Sequence, residues 1–495
     1  MIINNNIDEI QSYLLDASNF KGICEAVYFP ENKTDVVEII KEFNILHKTV
    51  TISGNGTGLT GARVPQDGSV ISTEKLNKII EINVIDKYAI VEPGVILADF
   101  LKIVSEKKLF YPPDPTEKNC FIGGNIATNA SGEKTFKYGP TRDYVLALEI
   151  VLPNGDILNL ERGKQFADNY LMNLETENGN KILFEIPDYK MPETTKNTSG
   201  YFCAKGMDAI DLFIGSEGTL GIFTKIKLKL LSEPEKIISC IVFFNDEKDA
   251  FNFIKEARDI SLNTRLRSDR RTLDALSLEY FDENALRFLY SEYPSIPKSA
   301  KSAVWFEQEV TNSNEETFFE VWLNLINVNN GDKDSAWFAF DDADKVRLQK
   351  FRHSISLKVN EYVSKNNLRK LGTDVAVPDS NFEDLYYFSQ RIVEKAGLNY
   401  VIYGHFGNSH MHLNMLPKTD EEYEIGKLLY SKICQKTIEL RGTISAEHGI
   451  GKIKKSYLIE MYGQENINKM IKMKKALDPN FILGRGNIFD PISLT

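Results

Sequence analysis

Histidine and cysteine are scarce in this 495-residue sequence, with six of the first and five of the second. The cysteines are Cys24, Cys120, Cys203, Cys240 and Cys434. Their number is odd and no two are close in sequence. That excludes a CxxC-type zinc or iron–sulfur site within the chain and fits free thiols in a reducing cytoplasm. Long apolar runs are missing too. The longest, from Ile237 to Phe244, has the length of a strand, far short of the ~18–20 residues of a membrane helix. The N-terminus, MIINNNIDEIQ, has no basic region ahead of an apolar core, so no secretory signal is expected. Basic residues are outnumbered, 59 against 70, for a net charge of -11. A surface of that sign repels phosphate backbones and disfavours nucleic-acid or anionic-membrane partners.

Hydrophobic residues make up 42% and charged residues 26% of the chain, which is ordinary globular usage and argues against disorder. There is no internal repeat. Val36, Val37, Ile40 and Phe43 share one face of a helix predicted over 34–47, with Thr34 as its N-cap. A strand over 49–53 leads into four glycines between Gly54 and Gly61. A second strand spans 89–95, and a helix runs from Leu97 to near Leu109. Two strands flank Pro153-Asn154-Gly155-Asp156, a hairpin signal. Residues 161–200 are polar and irregular and read as a surface excursion. After Pro234 the pattern changes to strand 237–244, helix 246–259 and further mixed pieces. Later helices end at Gly397, Gly442 and Asp478-Pro479.

Two constellations carry chemistry. Ser53-Gly54-Asn55-Gly56-Thr57-Gly58 follows a strand, and dense glycine lets backbone N–H groups surround a pyrophosphate. No Gly-Lys-Ser/Thr closes the loop, so it is not a Walker A. The glycine spacing and the lack of a following helix also argue against a Rossmann GxGxxG. The second constellation is histidine. Four of the six fall between 405 and 448. Val401–His405 and His410–Met415 read as two strands around a short turn. If His405 opposes His410, His412 lies two residues along on the same face. With Glu447 from a separate loop, these side chains suit a divalent ion such as Zn²⁺ or Mn²⁺.

Five ordered segments resemble the FAD-linked D-2-hydroxyacid dehydrogenase branch of the vanillyl-alcohol-oxidase (PCMH) superfamily. They are SGNGTGLTGARVP, the long stretch from PPDPTEKNC to VLPNGDIL, GSEGTLGIFT, GHFGNSHMHLN and SAEHGIGK. The resemblance implies non-covalent FAD held by Ser53 to Gly58. Pro113, Asp114, Gly123, Gly124, Ala127, Asn129, Gly132, Tyr138 and Gly139 would line it, with Glu217 and Ile222 at the adenine–ribose or isoalloxazine side. It implies metal ligation by His405, His412 and Glu447, with His448 as catalytic base. Asn414 would hydrogen-bond the substrate, and Arg352 would pair with its carboxylate. The reaction implied is metal-assisted oxidation of a D-2-hydroxy acid to the 2-oxo acid, with hydride passing to flavin N5.

The sequence departs from the family in places. His410 stands where the family loop often has Asn, and His353 replaces an acidic residue. The stretch 372–378 lacks the lysine that D-2-hydroxyglutarate enzymes place there. That points to a monocarboxylate such as D-lactate or glycolate. Gly484-Arg485-Gly486-Asn487 replaces a turn that usually carries a flavin-contacting lysine. The expected architecture is α+β: a PCMH-type FAD domain of two α+β subdomains over 1–235, an α+β cap with an antiparallel sheet over 236–430, and a segment over 431–495 that returns to the FAD domain. Electrons must leave to an external acceptor, such as a quinone, an electron-transfer flavoprotein, an iron–sulfur subunit or a cytochrome. A homodimer at the inner face of the membrane fits this picture. The alternatives are a flavin-dependent alkyl transferase of the same fold and a D-2-hydroxyglutarate dehydrogenase.

Overall fold

A computed structural model describes residues 1–267, 272–339 and 341–490. Its first sheet has four strands, in the order Ile2–Asn4, Ala26–Phe29, Ser69–Ser72, Val50–Ser53. The last two pairings are parallel, so the chain must cross over between Ala26–Phe29 and Val50–Ser53. It does so through the helix Lys33–Ile45. Val36, Ile39, Ile40 and Phe43 recur at helical spacing and are all buried there. The cap is Asn32, whose side chain accepts the Asp35 N–H. Thr34, the residue expected from sequence, lies inside the first turn.

The second sheet is antiparallel, in the order Ile79–Asn83, Tyr88–Val91, Ile222–Lys229, Val145–Val151, Ile157–Glu161. The Asn154-Gly155 hairpin forms as expected, with Gly155 at φ +80°. The strand Val50–Ser53 also bridges Leu483, which ties the end of the described chain to the first sheet.

The third and largest sheet holds eight strands. Its central order is Lys236–Phe244, Ser302–Val310, Ala275–Asp282, Tyr400–Gly404, His410–Met415. Lys236–Phe244 is apolar at almost every position because both faces are covered. Cys240, Val242 and Phe244 join a core with Phe306, Trp322 and Tyr386. Ile241 and Phe243 join another with Phe281, Trp305 and Phe351. Phe306 stacks on Trp322 with centroids 3.8 Å apart, worth about 1 kcal/mol beyond the area it buries. The helix Asp342–Lys365 turns Leu348, Phe351, Ile355 and Val359 onto the second face. The architecture is therefore two α+β units plus an α+β cap.

Residues 161–200 differ from their expected form. They contain the hairpin Leu171–Glu175/Lys181–Glu185. Beyond it the chain turns inward, and Lys196 is 1% exposed. A polar sequence does not reveal this, because the burial serves a charged centre and not an apolar core.

Candidate active site

The pleat of His410–Met415 sorts its side chains by period two. Met411, Leu413 and Met415 enter the apolar core. His410, His412 and Asn414 emerge on the other face. Tyr403 pairs with His412, and this register brings His405 opposite His410 as expected. The ring centroids of His405, His410 and His412 lie 4.4–5.7 Å apart. Glu447 closes the group, and the four side chains offer ligand atoms within 4.8 Å of one another. His405 Nε2 is 3.5 Å from Glu447 Oε1, and His412 Nε2 is 3.6 Å from Oε2. Such separations suit donors sharing one ion at about 2.0–2.2 Å from each.

Each imidazole is aimed by its other nitrogen. His405 Nδ1 meets Glu279 Oε1 at 2.7 Å, and His412 Nδ1 meets the Thr373 carbonyl at 3.2 Å. Carboxylates and carbonyls in these places fix the tautomer of a metal ligand. Burial works against protonation of His405, but Glu279 outweighs it and raises the pKa. Burial lowers that of His412. His410 pairs through Nε2 with Asp374 at 3.0 Å, and its Nδ1 is buried without a partner. Burial and His412 push His410 down to about 3, so its ring is neutral and able to ligate.

Asp374, which sequence reasoning passed over, organises the other side. It is 1% exposed. It accepts from the Ser445 hydroxyl at 2.9 Å, from the Glu447 and His448 backbone N–H groups, and from Lys454 Nζ at 3.0 Å. His448 Nδ1 lies 3.2 Å from its second oxygen. Burial opposes its ionisation, yet His448 and Lys454 hold its pKa well below the usual carboxylate range. The His448 ring is stacked 5.6 Å from that of His412.

Lys196 is the other unforeseen residue. Its Nζ donates to Glu447 Oε1 at 2.6 Å and to the Gly132 carbonyl at 2.9 Å. The Ser131 hydroxyl reaches the same Glu447 oxygen at 2.9 Å. Arg352 is 3% exposed and gives its Nε to Glu279 at 2.6 Å. Its two Nη groups donate to no protein acceptor among the described residues. Asn414 is buried at the same centre, with Nδ2 unpaired.

The first glycine loop is built from backbone. Arg63 Nη1 takes the Gly54 carbonyl at 2.8 Å, and the Ala17 N–H takes that of Gly56 at 3.1 Å. No N–H of residues 54–60 donates to a protein acceptor among the described residues, whereas the Gly61 N–H meets Asp16. The carbonyls face protein and the donors are left over, as in an anion-binding nest. Gly56 has φ +77° with the Arg63 guanidinium 2.7 Å from a would-be Cβ. A Cβ on Gly54 would meet only Phe121, at 3.9 Å. This open, donor-rich cradle fits the pyrophosphate of FAD. The buried Ser53 hydroxyl donates to the Gly54 carbonyl at 3.1 Å.

The stretch 113–139, expected from sequence to line the flavin, abuts both regions. Asn55 Nδ2 donates to the Asn119 carbonyl at 2.7 Å. Gly123 and Gly124 lie on the helix Ile122–Ala127, and no atom stands within 4 Å of a Cβ on Gly124. Pro113 is buried beside Asp114, whose carboxylate pairs with Lys118 and with Lys134 at 2.7 Å. Asn129 turns its Oδ1 to the Arg142 N–H. Tyr138 and Gly139 end a short helix. Glu217 sends its carboxylate to the Ile450 and Gly451 N–H groups at 2.8 and 2.7 Å. Ile222 packs among Ile40, Phe43 and Leu483. Thr60 Oγ1 donates to the His448 carbonyl at 3.1 Å, so glycine loop and histidine centre touch. Cys120 is a buried thiol pushed up to about 11, chiefly by burial. No described helix is long and apolar enough to cross a membrane.

Comparison with known proteins gives the family. A model of the FAD binding domain matches residues 24–161, and one of the FAD linked oxidases' C-terminal domain matches 234–488. The chain is 30% identical over 484 residues to glycolate oxidase subunit GlcD of Bacillus subtilis, covering 96% of this chain and 92% of that one. It is 28% identical over 497 residues to a D-lactate dehydrogenase of Anaerostipes hadrus, covering 99% and 94%. Its fold is similar to that of p-cresol methylhydroxylase, at a TM-score of 0.72 and 16% identity, over 100% of this chain and 95% of the other. The chain belongs to the FAD-linked oxidases.

Proposed function

We propose that this flavoprotein oxidises a D-2-hydroxy monocarboxylate, such as D-lactate or glycolate, to the 2-oxo acid. The observation that carries the reading is the meeting of His405, His412 and Glu447 with the Asp374–His448 pair. Its similarity to the glycolate oxidase subunit of Bacillus subtilis and the D-lactate dehydrogenase of Anaerostipes hadrus supports it. The 54–60 amides would hold FAD, which would supply the two-electron acceptor. A divalent ion, Zn²⁺ or Mn²⁺, would be held by His405, His412 and Glu447 and would supply Lewis acidity at the substrate hydroxyl. Arg352 binds the substrate carboxylate through its two Nη groups, while Glu279 fixes its orientation through Nε. Asp374 holds His448 through Nδ1, leaving Nε2 to take the hydroxyl proton, as in other carboxylate–imidazole pairs. Asn414 orients the same hydroxyl. On this reading residues 1–235 bind FAD, 236–430 form the cap, and 431–495 return His448 to the flavin side. Electrons then pass to an external acceptor.

The test is anaerobic bleaching of the bound flavin by D-lactate, L-lactate, glycolate and D-2-hydroxyglutarate, with and without chelator. We expect bleaching by the D-monocarboxylates and its loss on chelation. Equal bleaching by both lactate enantiomers, insensitive to chelator, overturns the proposal.

A further inference from the structure

One buried polar atom beside this centre has no structural explanation. Glu133 is 3% exposed. It follows Ser131 and Gly132, which contact Glu447 and Lys196. One of its oxygens lies 3.4 Å from His353 Nε2, on the residue after Arg352. The other, Oε1, is buried and accepts no hydrogen bond. An unpaired buried carboxylate oxygen is destabilising, and a leucine here would avoid it. The pairing with His353 gives no reason for the second oxygen. A ligand that brings a donor does.

The buried charges point the same way. Glu133, Glu279, Asp374 and Glu447 face Lys196, Arg352 and Lys454, four negative groups against three positive. A second substrate carboxylate would add negative charge in a region of low dielectric, beside an oxygen that already lacks a donor.

We propose that Glu133 determines specificity in the oxidation inferred above. It excludes 2-hydroxy acids with a second carboxylate and accepts a hydrogen bond from a donor on the substrate's far end. The site thus takes 2-hydroxy monocarboxylates, and favours a hydroxyl-bearing side chain over a plain alkyl one. The inference rests on the proposed oxidation, and the experiment separates the two. Flavin reduction by D-lactate, D-glycerate and D-malate is measured for the holoenzyme and for Glu133→Gln and Glu133→Leu, with FAD content and thermal midpoint recorded for each. Equilibrium titration with the matching 2-oxo acids gives binding without turnover. The expected wild-type order is glycerate, lactate, malate. Removing the charge in Glu133→Gln raises the malate-to-lactate ratio of kcat/KM about tenfold, through KM. Glu133→Leu also abolishes the advantage of glycerate over lactate. If Glu133→Leu fails to fold, the glutamine variant carries the test. A wild type that reduces its flavin with none of the three overturns the oxidation itself. A wild type that oxidises them in ratios that Glu133→Gln leaves unmoved overturns the role of Glu133 alone.

Discussion

The two halves of the site are built on opposite principles. The 54–60 loop offers its ligand backbone N–H groups and open space, with side chains such as Arg63 and Asp16 acting from outside. The histidine centre offers side chains, each held by a second side chain or carbonyl: Glu279 on His405, Thr373 on His412, Asp374 on His410 and His448, Lys196 on Glu447. A backbone site is damaged by adding atoms and a side-chain site by removing them. The two should therefore fail in different ways.

The largest expected effect is at the side-chain half. His412→Ala removes a ligand atom that faces Glu447 at 3.6 Å. We expect the metal content of the purified protein to fall to background and flavin reduction to slow by about a thousandfold or more. FAD should stay bound, which elemental analysis and the visible spectrum together report. Loss of FAD along with the metal would show that the halves are not separable. The converse change is Gly54→Val. Its Cβ has room within the protein, so the apo-protein's thermal midpoint should hold. The added methyls fill the cradle, and FAD affinity should drop by about a hundredfold or more. Unchanged flavin retention would remove residues 54–60 from the pyrophosphate role.

This contrast also explains what the sequence made legible. A backbone site needs consecutive small residues, so its signal is local: Gly54, Gly56 and Gly58 suffice. The histidines were legible for a similar reason, since strand alternation places His410 and His412 on one face and the register supplies His405. The supporting partners carry no local mark. Glu279 lies 126 residues from the histidine it orients, and Lys196 lies 251 from the carboxylate it holds. Lys196 sits in a polar stretch that reads as surface, and a buried lysine is recognisable only once its partner is known. Asp374 stands between two-residue strands with no pattern around it. Arg352 was named for the substrate carboxylate, but its bond to Glu279 could not be foreseen from its own helix.

Lys196→Met tests whether those partners matter as much as the ligands they hold. The variant keeps the length and apolar volume of the stem and removes the ammonium that meets Glu447 at 2.6 Å. Supporting groups of this kind are worth about 10–100-fold in metal affinity. Chelator competition should show a loss in that range, with FAD content unchanged. The Gly132 carbonyl also loses its donor, so Lys196→Arg serves as the conservative control and should recover most of the affinity. If methionine at this position leaves metal affinity intact, Lys196 is only a structural strut.

The smallest expected effect lies at the joint between the halves. Glu217 lies outside both halves, is 4% exposed, and binds the Ile450 and Gly451 N–H groups just after His448. Burial pushes its carboxyl up to about 7, although both N–H bonds and Lys452 pull it down. A carboxyl whose pKa is higher folded than unfolded favours the native state fully below its ordinary value of about 4.5. That contribution fades as pH rises through about 7. Wild-type stability should therefore include a decline between about pH 5 and 8 that Glu217→Gln lacks, of about 1–3 kcal/mol. The amide loses one of the two N–H bonds, but that cost is the same at every pH, so the slope of urea stability against pH isolates the titration. Other carboxyls raised by burial, such as Glu307 and Asp282, contribute equally to both proteins. Parallel curves for wild type and Glu217→Gln would mean that Glu217 stays ionised between the two halves, held by backbone N–H groups in the manner of the glycine loop and not by paired side chains.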